Sequence, residues 1–185
     1  LDRHRRSSIV RGCQMNFAVV ILSKYPELAR NLIRSIRENH TRMPHVIVVA
    51  DGHDELFGEN IQTCREDRPF IFARNANLGI DLAGKRDVVL ANDDCEIFER
   101  DSIFKLISIA AKYPRLGILS PVFDGGVGNI LQRKDAVWEP LIKSGNVVSD
   151  EICLGGNDAD AMPVCFPFVY LSRAMILAIG PLDEN

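Results

Sequence analysis

From Asn16 onward the chain alternates short apolar runs with amphipathic stretches. Phe17-Ala18-Val19-Val20-Ile21-Leu22 is continuous and rich in β-branched residues, the pattern of a strand buried on both faces. Ser23-Lys24-Tyr25 leads to Pro26, a residue suited to the first helical position, and Leu28, Leu32, Ile33 and Ile36 then recur at helical spacing. Pro44 ends that unit. His45-Val46-Ile47-Val48-Val49-Ala50 predicts a second buried strand, closed by the polar turn Asp51-Gly52-His53-Asp54. Phe70-Ile71-Phe72 predicts a short third strand, residues 76–84 a short helix, and Val88-Val89-Leu90-Ala91 a fourth strand.

The later half is less regular. Asp101 is placed to cap a helix whose apolar face is Ile103, Leu106, Ile107 and Ala110. Gly117-Ile118-Leu119 predicts another strand. Residues 123–160 are rich in Gly and Asp, with a hairpin-like turn at Lys143-Ser144-Gly145-Asn146 between Trp138 and Val148. A strand is expected from Val164 to Tyr170. Ser172 then caps a final helix, which Gly180-Pro181 stops. Strands alternating with helices predict an α/β fold with a mostly parallel central sheet and a small antiparallel portion in the later half. Residues 1–14 read as a flexible basic arm and 15–185 as a single domain.

Composition narrows the class. The 185 residues are 46% apolar and 25% charged, ordinary for a soluble globular domain, and suffice for one sizeable core. The longest apolar run, Phe17 to Leu22, falls far short of the roughly 20 residues that span a bilayer. Arg3, Arg5, Arg6 and Arg11 are not followed by the apolar stretch of a secretory signal. A formal charge of −3 argues against a dedicated nucleic-acid-binding face. Cys13, Cys64, Cys95, Cys153 and Cys165 form no CxxC pair and no metal-like spacing; buried thiols in a reducing, cytoplasmic setting are expected.

In α/β sheets ligands bind beyond the carboxyl ends of the strands. Acidic residues fall there twice, at Asp51 and at Asn92-Asp93-Asp94. Two carboxylates emerging from a buried strand supply the hard oxygen ligands that Mg²⁺ or Mn²⁺ prefers, and such ions complete their shell with phosphates and water. Asp51 can accept hydrogen bonds from a base N–H or a ribose hydroxyl, or be an ordinary Asp-Gly turn. His53 reads as a solvated turn residue. Arg74, Asn77, Lys85 and Arg86 are candidates to meet phosphates. There is no Walker A motif, no G-x-G-x-x-G and no G-x-S-x-G; Gly125-Gly126-Val127-Gly128 lacks the following Lys-Ser/Thr.

Taken in order, these segments resemble the family 2 glycosyltransferases of the GT-A fold, particularly rhamnosyltransferase-like members. Phe17–Ser23 through Leu32-Ile33-Arg34-Ser35-Ile36 is similar to the family's first strand and its "L..L..SI" helix. Val48-Val49-Ala50-Asp51-Gly52-His53-Asp54 resembles "VVDNGS.D", and Asn77-Leu78-Gly79-Ile80 with Ala83 resembles "N.G...A". Val88 to Asp94 is similar to the "LLNDD" form of the DxD-type motif, and Gly117 to Pro121 to "vGivgP". Phe168 to Arg173 and Ile179 to Glu184 are similar to "..lirR..f..iGgfDE". The likeness covers about residues 16–184.

The resemblance implies a GT-A, Rossmann-like domain with a nucleotide-binding part to about residue 122 and an acceptor-side part at 123–185. It implies transfer of a sugar, with inversion, from a nucleoside-diphosphate sugar to an acceptor hydroxyl, with Mn²⁺ or Mg²⁺. Asp94 would hold the metal. Ser23, Asp51, Asn77, Gly79, Asn92 and Asp93 would form the nucleotide-sugar site, and Asp183 and Glu184 the catalytic, acceptor side. The acceptor is left open among a glycan, a lipid-linked glycan, a protein and a nucleobase. Ala50 stands where many members are acidic, and Asn92 replaces the first Asp of a strict DxD. The "ED.D" segment that usually supplies the base would fall after Asn185. The expectation is a fragment, with Asp183 or Glu184 as base, or donor binding without transfer, as alternatives. A non-catalytic binding module of the same fold is the runner-up. A nucleotidyltransferase needs a Gly- and Lys/Arg-rich loop after the first strand, which Ser23-Lys24-Tyr25-Pro26 is not.

Overall fold

A computed structural model describes residues 16–121, 146–149, 152–154 and 167–184. The elements run β1 (Phe17–Ser23), α1 (Pro26–Asn39), β2 (His45–Asp51), β3 (Ile61–Glu66), α2 (Phe72–Ala83), β4 (Asp87–Asn92), α3 (Ser102–Ala110), β5 (Ile118–Leu119), β6 (Asn146–Ser149), β7 (Ile152–Leu154), β8 (Phe168–Leu171) and α4 (Arg173–Ile179). The main sheet has the order β3-β2-β1-β4-β8-β5. β1, β2, β3 and β4 are parallel; β8 is antiparallel to both β4 and β5. The α/β class with a mostly parallel sheet and a late antiparallel portion is therefore observed. β6 and β7 form a separate antiparallel pair.

The sheet is central because β1 is buried along its whole length. Its side chains alternate between two cores. Phe17, Val19 and Ile21 meet Ala29, Leu32, Ile33 and Ile36 of α1 and Ile103, Leu106 and Ile107 of α3. Ala18, Val20 and Leu22 meet Ala76, Ile80 and Ala83 of α2 and Ile176 of α4. Each fully buried Val, Leu or Ile contributes about 1.5–3 kcal/mol of transfer free energy, so these two layers dominate the fold. Gly79 permits a close approach of α2 to the sheet. A Cβ built there would lie 2.2 Å from Val20 Cγ1 and 3.2 Å from Val49 Cγ2.

Several expected boundaries shift. The third strand is Ile61–Glu66, not Phe70–Phe72. It is an edge strand paired only with β2, so its sequence Ile-Gln-Thr-Cys-Arg-Glu is mostly polar. Phe70 is exposed, while Phe72 opens α2, a full 12-residue helix where a short one at 76–84 was expected. Asp101 does precede α3 but does not cap it: it adopts φ 55°, and its Oδ1 accepts from Thr41 N at 2.8 Å and Thr41 Oγ1 at 3.0 Å. Ser172 caps α4 as expected, accepting from Met175 N at 3.2 Å, and Gly180 ends that helix at φ 82°. Pro26 opens α1. Of the expected strand 164–170, only its later part is among the described residues, and it extends to Leu171. Trp138, the turn at 143–145 and the glycines at 125–128 lie outside them. Asn146 opens β6, whose partner follows rather than precedes it. Among the described residues no helix is long and apolar enough to cross a membrane.

Candidate functional site at the strand ends

The parallel strands point their carboxyl ends to one edge, and the chain reverses its direction of travel across the sheet there. From β1 it winds outward through β2 to β3, then returns past β1 to β4. α1 lies on one face and α2 on the other, because they contribute to different cores. The boundary between β1 and β4 is thus a topological switch point, where the connections diverge and leave a crevice. Register pairs Leu22 with Asn92, so Ser23 and Asn92-Asp93-Asp94 meet at that boundary. Asp51 ends β2, where Ala50 pairs with Ser23.

Asp93 and Asp94 are adjacent in sequence but differ in environment. Asp93 is buried. Its Oδ2 accepts from Lys24 N at 2.8 Å and Tyr25 N at 2.7 Å, just ahead of α1. Its own N–H donates to Leu22 O at 3.2 Å. Two successive N–H groups converging on one carboxylate oxygen form a small anion nest, filled from within the chain. Asp94 is exposed and makes no hydrogen bond or ion pair to a described residue. Asn92 is half-buried, with its N–H on Pro167 O at 2.8 Å.

Ser23 is fully buried, and its Oγ lies 3.0 Å from His53 Nε2. The same nitrogen is 3.2 Å from Ser23 O, and Glu55 N donates to Nδ1 at 3.4 Å. These partners assign the proton to Nε2, which donates to Ser23. His53 is therefore half-buried and pins the end of β1 to the loop after β2, where a solvated turn residue was expected. Its 30-residue separation from Ser23 left no local signal in the sequence. Asp51 is half-buried beside this link, and Gly52 N donates to Glu66 O at 2.8 Å.

Asn77 and Gly79 sit on α2, where they do different work. Gly79 faces Val20 and Val49 in the core. The Asn77 carboxamide accepts from Leu182 N and donates to Leu182 O, both at 2.9 Å, and donates to Glu184 Oε1 at 2.9 Å. It thereby docks the segment after α4 onto α2. Glu184 Oε2 lies 3.8 Å from Arg74 Nε. Asp183 is exposed. Close by in charge, the buried carboxylate of Glu66 accepts from Arg68 N at 3.0 Å, Nε at 2.8 Å and Nη2 at 2.7 Å. Hydrogen bonding to the Arg68 side chain, then to its backbone, pulls Glu66 down to a pKa of about 2.

Asn75, which carries no signal in the sequence, is fully buried, yet neither its Oδ1 nor its Nδ2 has a hydrogen-bond partner among the described residues. α2 runs antiparallel to the parallel strands, so Asn75, one turn before Gly79, lies toward their carboxyl ends. Of the basic residues expected near phosphates, Arg74 is at the N-terminal half of α2. Lys85 and Arg86 follow α2 and precede β4, at the opposite end of the sheet.

Chemically, the edge offers an exposed carboxylate at Asp94, a half-buried one at Asp51, and a backbone framework held by Asp93 and His53. Among the described residues no three His, Cys, Asp or Glu side chains are grouped to cage a metal. That donor set suits a divalent ion held by one carboxylate plus ligand phosphates and water, as Mg²⁺ commonly is, and not a closed protein cage. Cys64 and Cys95 are free and half-buried. Burial pushes the Cys95 thiol up to about 12, which disfavours its thiolate. No protein-family model matches the chain, and no curated protein matches it.

Proposed function

We propose that this chain is the donor-binding domain of a glycosyltransferase that moves a sugar, with inversion, from a nucleoside-diphosphate sugar to an acceptor hydroxyl. The observation that carries the reading is the division between the two aspartates at the β1–β4 switch point. Asp93 is used up in holding the β1–α1 turn, while Asp94 is exposed and makes no hydrogen bond or ion pair to a described residue. A carboxylate in that state is available to a cation.

In this reading Asp94 holds Mn²⁺ or Mg²⁺ together with the donor's phosphate oxygens. The ion, when bound, offsets the charge that develops on the departing nucleoside diphosphate. Asp51 accepts hydrogen bonds from the base or ribose, Asn92 lines the crevice, and the buried Ser23 supports it from beneath through its bond to His53. Asp183 and Glu184 stand on the acceptor side. Glu184 accepts a hydrogen bond from Asn77, and either carboxylate is a candidate to take the acceptor proton. Free thiols at Cys64 and Cys95 support a reducing, cytoplasmic setting.

The engagement of Glu184 also supports a second reading, a module that binds nucleotide or nucleotide-sugar without turnover. Calorimetry with UDP, GDP and dTDP, with and without Mn²⁺, tests both. Metal-dependent binding of at least one nucleotide is expected, and its absence for all three rejects both readings. Binding accompanied by neither transfer nor donor hydrolysis, in a chain extended at its C-terminus, selects the module.

A further inference from the structure

A cleft of about 270 Å³ lies between α1 and the loop joining β2 to β3. Its walls are Arg30, Ile33, Arg34, Arg37, Leu56 and Phe57. Three of the six are arginines on one helix, at i, i+4 and i+7, spanning about 10 Å of helix. Neither acidic residue of that helix, Glu27 or Glu38, lines the cleft. In a chain of net charge −3 this is a local concentration of positive charge.

The arginines are unequally committed. Arg30 is ion-paired with Glu55, which belongs to the opposing loop. Arg34 Nη2 donates to Asn31 Oδ1 at 2.7 Å, leaving most of its donors unused. Arg37 has no hydrogen bond or ion pair to a described residue. Opposite them Leu56 is 78% exposed, while Phe57 packs on the core and stands edge-on to His53. A guanidinium fork matches the oxygens of phosphate, and several on one wall favour a dianion over a single carboxylate. The apolar wall offers cover to a hydrophobic substituent and would itself be covered by one.

We propose that this cleft binds a phosphate monoester carrying an apolar or aromatic body. The phosphate is held by Arg34 and Arg37, with Arg30 recruited when it releases Glu55. Glu55 is thus an internal competitor for the anion. None of its lining residues is Asp94 or another residue assigned to the strand-end site, so the proposal does not rest on the function proposed for that site.

The test is titration of the whole chain, in EDTA, with inorganic phosphate and phenyl phosphate, followed by Arg34→Gln/Arg37→Gln and Glu55→Gln. Phenyl phosphate should bind at least about threefold tighter than inorganic phosphate. The double variant should lose about tenfold or more in affinity, and Glu55→Gln should gain about threefold, the scale of exposed charge-assisted contacts. Asp94→Ala should bind as the parent does. Circular dichroism of each variant establishes that the fold is retained. Vesicles of phosphatidylcholine with and without phosphatidic acid separate the sources. Arginine-dependent binding only to phosphatidic acid assigns a lipid phosphate, and binding to phenyl phosphate alone assigns a soluble ester. Phenyl phosphate affinity unchanged in the double variant, or weakened by Glu55→Gln, overturns the proposal. So does capture of an oligoglutamate peptide with no binding of either phosphate.

Discussion

The Asp93 carboxylate lies 2.7 Å from the backbone nitrogen of Tyr25, although 68 residues separate them. Through that bond and its neighbour on Lys24, the end of β4 holds the turn that leads from β1 into α1. The second acid of the motif-like pair is left exposed, and the two should respond differently to mutation.

Asp93→Ala should destabilise the fold by about 2–3 kcal/mol, because two hydrogen bonds to a carboxylate are lost at a buried position. Asp94→Ala should stay within about 0.5 kcal/mol of the parent, as exposed substitutions usually do. Urea midpoints of the two variants check this. Equal stability for both would remove the structural role given to Asp93.

Gly79→Ala should destabilise by roughly 1–2 kcal/mol. Overpacking costs about 1–3 kcal/mol, and the better helix propensity of Ala returns up to about 1 kcal/mol. The methyl group would meet Val20 Cγ1 at 2.2 Å, and Val20 is fully buried with little room to move. The double variant Gly79→Ala/Val20→Ala should recover part of the loss beyond additivity. Strict additivity of the two in thermal melts would contradict the packing argument.

Asn75→Leu separates stability from binding. Two buried amide atoms without partners carry a desolvation penalty of about 1–3 kcal/mol in the resting fold. Leu, of similar size, should raise the melting temperature. If the amide serves the nucleotide crevice, the same variant should weaken nucleotide binding severalfold. A stabilised variant with unchanged affinity would make Asn75 irrelevant to the site.

The Glu66–Arg68 pair gives a pH dependence. The folded carboxyl titrates near 2, below its usual 4.5. A depressed folded pKa contributes stability above the usual value and loses it as pH falls. The parent should therefore lose stability between about pH 4.5 and 2 more steeply than Glu66→Gln. Arg68 is largely exposed, so added salt should reduce the difference. Parallel curves for parent and variant would remove the linkage.

The strands that make the centre of this fold were legible because burial on both faces demands unbroken apolar runs, as in Phe17–Leu22 and Val46–Ala50. β3 was not, because an edge strand with one covered face keeps polar residues such as Gln62 and Arg65. The site shows the same divide. Acidic residues at strand ends can be read from position, since strand ends are where apolar runs stop. Which acid is free cannot, because Asp93 is occupied by residues brought to it only by the parallel pairing of β1 and β4. Likewise the tie between Asn77 and Leu182, 105 residues apart, exists only once α4 has packed on the sheet.

The proposed function makes Asp94 a metal ligand at a nucleotide site, and the affinities of the parent and of Asp94→Ala for UDP, GDP and dTDP, by calorimetry in Mn²⁺ and in EDTA, decide it. The parent should bind at least one nucleotide with an affinity that Mn²⁺ strengthens, and Asp94→Ala should bind it equally weakly in both conditions while remaining folded. A Mn²⁺ enhancement that survives in Asp94→Ala would rule out Asp94 as the ligand.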